Sequence, residues 1–99
     1  MFKPTLEFCD PGDMDVMIPP TSFTVTFDDN IWDSLNEDEI YNVIVGLSET
    51  AYYLFDIPPV VKCRLRSDPE YNASLIDRLN MKILKQDKVI PKIRSLREL

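Results

Sequence analysis

The sequence predicts an α+β fold. It reads as a small, mainly antiparallel sheet of roughly three to four strands, with two main helices packed on one face and a short C-terminal helical segment. Three observations carry this. Residues 23–27 (FTVTF) and 60–66 (VVKCRLR) alternate apolar and polar side chains, the period of a half-buried strand. After Asn36, apolar residues recur at three- and four-residue spacing, as on a helix with one buried face. A second run of that period follows Asp68.

The elements follow in order. Residues 4–8 (PTLEF) alternate weakly and fit a short strand. The DPGD that follows is a turn signal, because Pro11 fixes its own φ and Gly12 tolerates a positive one. Residues 14–18 (MDVMI) read as another short strand, ended by Pro19 and Pro20. In residues 23–27, Phe23, Val25 and Phe27 share one face and Thr24 and Thr26 the other.

Asn36 caps the first helix, with Glu39 in the capping-box position. Glu37, Asp38 and Glu39 lie where the helix dipole favours acids. Pro58 disfavours helix at Ile57, so the helix runs to about Phe55. Ile40, Val43, Ile44, Leu47, Ala51, Leu54 and Phe55 form the expected core stripe, flanked by Tyr41, Val45 and Tyr52. Gly46 is unfavourable in mid-helix and marks a close approach by another element.

In residues 60–66, Val61, Cys63 and Leu65 face the core, and Lys62, Arg64 and Arg66 face out. The second helix is capped by Asp68 with Pro69 at its first position, or by Ser67 with Glu70 answering. Tyr71, Leu75, Ile76, Leu79 and Ile83 form its buried arc, which fades near Gln86. After Pro91, the spacing of Ile93 and Leu96 predicts a last helical turn or two.

The 99 residues fit one domain, and 44% hydrophobic with 28% charged residues is a globular composition. Charge is polarised. Residues 1–60 hold twelve acids and one base, Lys3, for −11; residues 61–99 hold ten bases and five acids, for +5; the net is −6. Such a division predicts either pairing between the halves or a tail, residues 87–99, that docks or binds a partner. The acidic, proline-containing start and the lack of a long apolar run predict a cytoplasmic protein with no membrane partner. Cys9 and Cys63 are expected to be reduced thiols in or near the core. There is no histidine and no CxxC. That removes the commonest general base, the histidine-activated nucleophiles and a zinc ribbon.

Five constellations remain. Asp28, Asn30 and Glu39 match positions of a calcium loop, but Trp32 stands at a ligand position and Asp33 at the turn glycine, so no metal is expected and the stretch reads as an acidic loop leading into the helix cap. Asp10, Asp13 and Asp15 are turn acids with nothing to split their pKa values, so no catalytic pair and no cofactor are expected. Asn72-Ala73-Ser74 is a sequon by letter, set within a helix. The basic stripe Lys62, Arg64 and Arg66, with the tail bases Lys85, Lys88, Lys92, Arg94 and Arg97, offers contacts to phosphates. Aromatics for stacking are missing from that strand face, and the net charge opposes a polyanion.

The last constellation is a protein interface. The first helix is apolar over about half its circumference, more than a two-layer domain needs. Trp32, Tyr41, Val45 and Tyr52 are therefore the expected contact residues for another protein or a second copy, the competing role being packing beneath the second helix or the tail. The expected function is non-enzymatic: an adaptor, an inhibitor or a small subunit of a larger assembly, a viral or accessory protein among them. A nucleic-acid-binding module using the basic strand face and tail is the alternative.

Overall fold

The computed structural model describes all residues except Met1, 86–92 and 96–99. Along the chain lie β1 (Thr5–Asp10), β2 (Thr21–Thr26), α1 (Asp29–Asp33), α2 (Glu37–Phe55), β3 (Val60–Arg64), α3 (Pro69–Lys85) and β4 (Ile93–Ser95). The strands form one mixed sheet in the order β2-β1-β3-β4. β1 is antiparallel to both β2 and β3, and β4 runs parallel to β3. The α+β class, the sheet of four strands and the two main helices are as the sequence predicts. β2 and β3 are not neighbours, because β1 lies between them.

The alternation in each strand divides the sheet into two unlike faces. Leu6 and Phe8 of β1, Val61 and Cys63 of β3, and Ile93 of β4 are buried in one core with Ile40, Ile44 and Ala51 of α2 and Leu75, Ile76, Leu79 and Ile83 of α3. Phe23 and Val25 pack against this core, Phe23 stacking on Phe8 with ring centroids 5.1 Å apart. The opposite face carries Ser22, Thr24 and Thr26, then Thr5, Glu7 and Cys9, then Lys62, Arg64 and Arg94.

The helix boundaries follow from their caps. In α2 both halves of the capping box form: Asn36 Oδ1 accepts from Glu39 N at 2.9 Å, and Glu39 Oε1 accepts from Asn36 N at 3.1 Å. Asp56 closes the helix in the left-handed region at φ 59, its N–H donating to the Tyr52 carbonyl. For α3 the structure selects Asp68 as the cap, its Oδ1 accepting from Glu70 N at 3.0 Å, with Pro69 first in the helix.

Two asparagines of α3 then fix the far edge of the sheet. Asn72 is buried, and its Oδ1 accepts from Leu65 N at 2.7 Å and Arg66 N at 3.3 Å, just where the chain leaves β3. Its Nδ2 donates to Ser95 Oγ on β4 at 3.3 Å. Asn80 grips the main chain of Ile93 on both sides: Oδ1 accepts from Ile93 N at 2.8 Å and Nδ2 donates to Ile93 O at 2.9 Å. The sequon asparagine is thus a buried structural group.

Several expectations change. Residues 14–18 are a turn closed by an Asp13–Ile18 bridge, not a strand, because the chain folds back within the loop. Residues 93–95 are a strand rather than helix, because pairing with β3 and the Asn80 grip outweigh the weak helical spacing. The rest of the tail, with Lys88, Lys92, Leu96 and Arg97, lies outside the described residues. Residues 29–33 form the short helix α1, with Asp28 Oδ1 accepting from Asn30 N, where the sequence predicts a loop.

The buried arc of α2 is also rotated. It contains Tyr41 and Ser48, while Leu54 is exposed and Val43, Leu47 and Phe55 are half-buried. Tyr71, expected in the arc of α3, is exposed. A Cβ at Gly46 would meet nothing within 4 Å, so no close approach explains that glycine among the described residues.

Asn72→Ala tests the clamp on β3. It strands the buried Leu65 N–H, and a buried donor left without an acceptor costs about 1–3 kcal/mol. Urea denaturation of wild type and variant should differ by that amount. A difference below about 0.5 kcal/mol would show that the clamp contributes no more than an ordinary surface contact.

Candidate functional site

Two surfaces concentrate chemistry, and they adjoin at the hairpin end of the sheet. One is the open face of the sheet. The register places Lys62 between Glu7 of β1 and Arg94 of β4, so the basic stripe gains a base from the tail that the strand sequence alone does not contain. Arg64 and Arg66 gain aromatic neighbours from elsewhere in the chain. The Arg64 guanidinium lies 4.9 Å from the Phe2 ring centroid, and that of Arg66 lies 5.5 Å from Tyr71. Both distances are within cation–π range. The sequence hides these pairs because neither aromatic lies on the strand.

At one end of this face, Glu7, Cys9, Lys62 and Arg94 line an open hollow of about 480 Å³, walled by Pro11 and Pro20. Cys9 Sγ donates to Glu7 Oε1 at 3.0 Å. Burial, then the Glu7 hydrogen bond and its charge, push the Cys9 thiol up from 9.0 to about 11, while Lys62 pulls the other way. The Cys63 thiol points into the core, where burial raises it to about 12. The two thiols are free and face opposite sides of the sheet, so they cannot bridge. Both stay protonated at neutral pH, which leaves neither as a ready nucleophile.

The second surface is the end of the molecule where β1 turns into β2. Cys9 pairs with Val60, so the α2–β3 connection leaves the sheet at the same end. The hairpin is built rather than loose. Asp10 Oδ1 accepts from Gly12 N at 2.8 Å, and Gly12 takes φ 72, where an added Cβ would lie 2.4 Å from the Ile18 carbonyl oxygen. Asp13 and Ile18 exchange both main-chain bonds, at 2.9 and 2.8 Å. Met17 is held at φ 58, a left-handed conformation uncommon for a side chain of its size.

This closed turn holds Met14, Val16, Met17 and Ile18 in solvent, Met14 and Met17 being 83% and 87% exposed. Tyr52, Tyr53, Leu54 and Ile57 are exposed at the end of α2 and just beyond it. Residues 4–61 contain no Lys or Arg, so the turn and the end of α2 carry only acids, Asp13, Asp15 and Asp56 among them.

No family model, curated protein or solved structure matches this chain.

The expected interface residues divide. Trp32 is fully buried, its ring centroid 4.6 Å from that of Phe27, because α1 turns it inward. Tyr41 is buried too, with the Lys82 ammonium 5.0 Å from its ring centroid. Both are core residues of this chain and offer no surface to a partner. Val45 is half-buried and Tyr52 is exposed. Sequence reasoning missed Met14, Val16, Met17 and Ile18, which it assigned to a strand. The signal was present in the run of apolar letters between DPGD and Pro19-Pro20.

The acidic and basic halves meet beside Glu7 and Lys62 in the sheet, and again where α3 crosses the start of α2. Arg78 Nε donates to Glu37 Oε1 at 3.0 Å, and Lys82 pairs with Asp38. These bases join α3 to the first turn of α2. Such exposed pairs are worth about 0.2–1 kcal/mol each. Among the described residues no helix is long and apolar enough to cross a membrane, and no cluster of three or more His, Cys, Asp or Glu is placed to hold a metal.

Cys9 supplies a test of the hollow's electrostatics. Alkylation at Cys9 should follow a thiolate that forms with a midpoint near 11 rather than 9.0. Glu7→Gln removes a charge that disfavours the thiolate, so the midpoint should fall toward 9.0 and the rate at pH 8 should rise. A midpoint unchanged in Glu7→Gln would show that burial alone raises the thiol.

Proposed function

We propose that this chain is a non-enzymatic protein-interaction module, an adaptor, inhibitor or assembly subunit, that docks through its hairpin end. The observation that carries the reading is the closed turn at residues 13–18, which holds Met14, Val16, Met17 and Ile18 outward on a fixed backbone. A soluble domain gains nothing in stability from exposed methionines, whereas methionine adapts to varied apolar pockets. A preorganised turn also loses less entropy on docking than a flexible loop. The acids around the tip and the absence of bases in residues 4–61 favour an apolar pocket rimmed by Lys or Arg. The unbridged thiols favour work in the cytoplasm, a viral or accessory protein included.

Capture from the native source tests this with a matched pair of baits. Wild type should retain a protein that Met14→Asp/Met17→Asp loses, while both baits melt at the same temperature. Equal retention by both baits would remove the hairpin end from the interface.

A second reading, a nucleic-acid-binding module, is favoured by Phe2 and Tyr71 beside Arg64 and Arg66. Bases beside aromatic rings are elements of a single-strand platform; here Arg64 lies on the open face, while Arg66 and Tyr71 lie beyond it, on the link to α3 and on α3. The net charge of −6 works against it. Oligonucleotide titrations should therefore give weak binding that disappears as salt is raised. Sub-micromolar affinity retained at physiological salt would place this reading first.

A further inference from the structure

The free edge of the sheet carries an inference separate from the hairpin end. β2 is an outer strand, and among the described residues nothing pairs with its outer side. Phe27 N donates to Pro4 O at 2.8 Å, which fixes the phase of the β1–β2 ladder. Phe23 and Val25 spend their main-chain groups on β1, and Phe27 its N–H on Pro4. Ser22, Thr24 and Thr26 therefore turn their N–H and C=O groups outward.

Such an edge is a template for strand addition, and proteins usually blunt it with lysine, proline, a bulge or a very short strand. β2 has none of these. Residues 21–27 (TSFTVTF) hold no charge and no proline, and they are rich in the β-branched and aromatic residues that favour strands. Its apolar side chains Phe23 and Val25 are only half-buried, so they retain surface for a neighbour to cover.

We propose that two copies of this chain pair antiparallel through β2, about a two-fold axis at Thr24, to form one continuous sheet. The register is self-complementary. With Thr24 opposite the second copy's Thr24, Ser22 falls opposite Thr26, and each of these pairs joins outward-facing main-chain groups to outward-facing ones. On the helical side the same register sets Phe23 against the second copy's Val25, an aromatic–β-branched pair of the kind that stabilises sheets. On the open side it sets hydroxyl residues against hydroxyl residues. Asp28 falls opposite Pro20 rather than opposite an acid, so pairing places no like charges in contact. A charged peptide would find no counter-charge along residues 21–27. A second copy meets a neutral strand with its own palindromic pattern.

Sedimentation velocity and light scattering over a concentration series test the pairing. Wild type should move from 11.5 kDa to twice that mass. Thr24→Lys sets two ammonium groups against each other on the axis and should weaken dimerisation by at least roughly tenfold. Thr24→Pro removes one outward N–H that β1 does not use, and should do the same. Thr24→Val should remain dimeric. Thermal melts of diluted, monomeric samples separate loss of pairing from loss of folding, and Thr24→Lys carries the test if the proline variant fails to fold. Amide exchange at Ser22, Thr24 and Thr26 should slow with concentration. A wild type monomeric throughout, growth beyond the dimer, or a Thr24→Lys dimer as tight as wild type would overturn the proposal.

Discussion

The carboxamide of Asn72 holds together three parts of the chain. β3 ends where Leu65 and Arg66 turn out of the sheet, and there the main-chain donors lose their ladder partners. Asn72 Oδ1 accepts from both, and its amide nitrogen reaches Ser95 on β4. Asn80 then pins Ile93 as a neighbouring strand would, offering one acceptor and one donor to a single residue. A parallel strand as short as Ile93–Ser95 makes few ladder bonds of its own. Its position depends on these side chains, and so does what it carries. Arg94 lies beside Lys62 because the asparagines of α3 hold its strand there.

The one-sided sheet explains the remaining arrangement. With α2 and α3 on one face, the other strand face must be solvated. It is occupied by threonine, serine, lysine and arginine, with Glu7 among them. α2 must present its most continuous arc to the sheet, and that arc is centred near Ile44, Ser48 and Ala51. Ser48 Oγ is buried with no hydrogen-bond partner among the described residues. It is carried inward because it lies four residues after Ile44 and three before Ala51, on the same helix face. The same rotation takes Tyr41 inward, under Lys82, and leaves Leu54 in solvent.

Those details mark where the sequence was legible. Period-two alternation located β2 and β3, and the Asn36–Glu39 box located the start of α2, because each rests on neighbours within a few residues. The rotation of α2 was not legible, since a serine in the middle of an apolar arc counts against that arc until packing is known. β4 was hidden for a different reason. Its partner Val61 is 32 residues away and its grip comes from Asn80, so local spacing favoured helix. The apolar hairpin tip was visible as composition, but its exposure follows from the Gly12 turn and the Asp13–Ile18 bridge. The contacts of Arg64 with Phe2 and Arg66 with Tyr71 are tertiary, and no strand pattern could show them.

The separate surfaces constrain one another through geometry. An antiparallel two-fold pairing along β2 keeps like faces on the same side, so both pairs of long helices lie on one side of the joined sheet and both open faces on the other. The hairpin ends then point in opposite directions, and neither is covered by the pairing. Lys62 and its second-copy counterpart are separated by five strand spacings, about 24 Å. That is about three times the Debye length of about 8 Å at physiological salt, so their mutual repulsion is largely screened. The acids of the hairpin ends diverge in the same way. The basic charge of the two copies thus opposes pairing only weakly. The charge of either hairpin end stays free to steer a partner of opposite sign toward it.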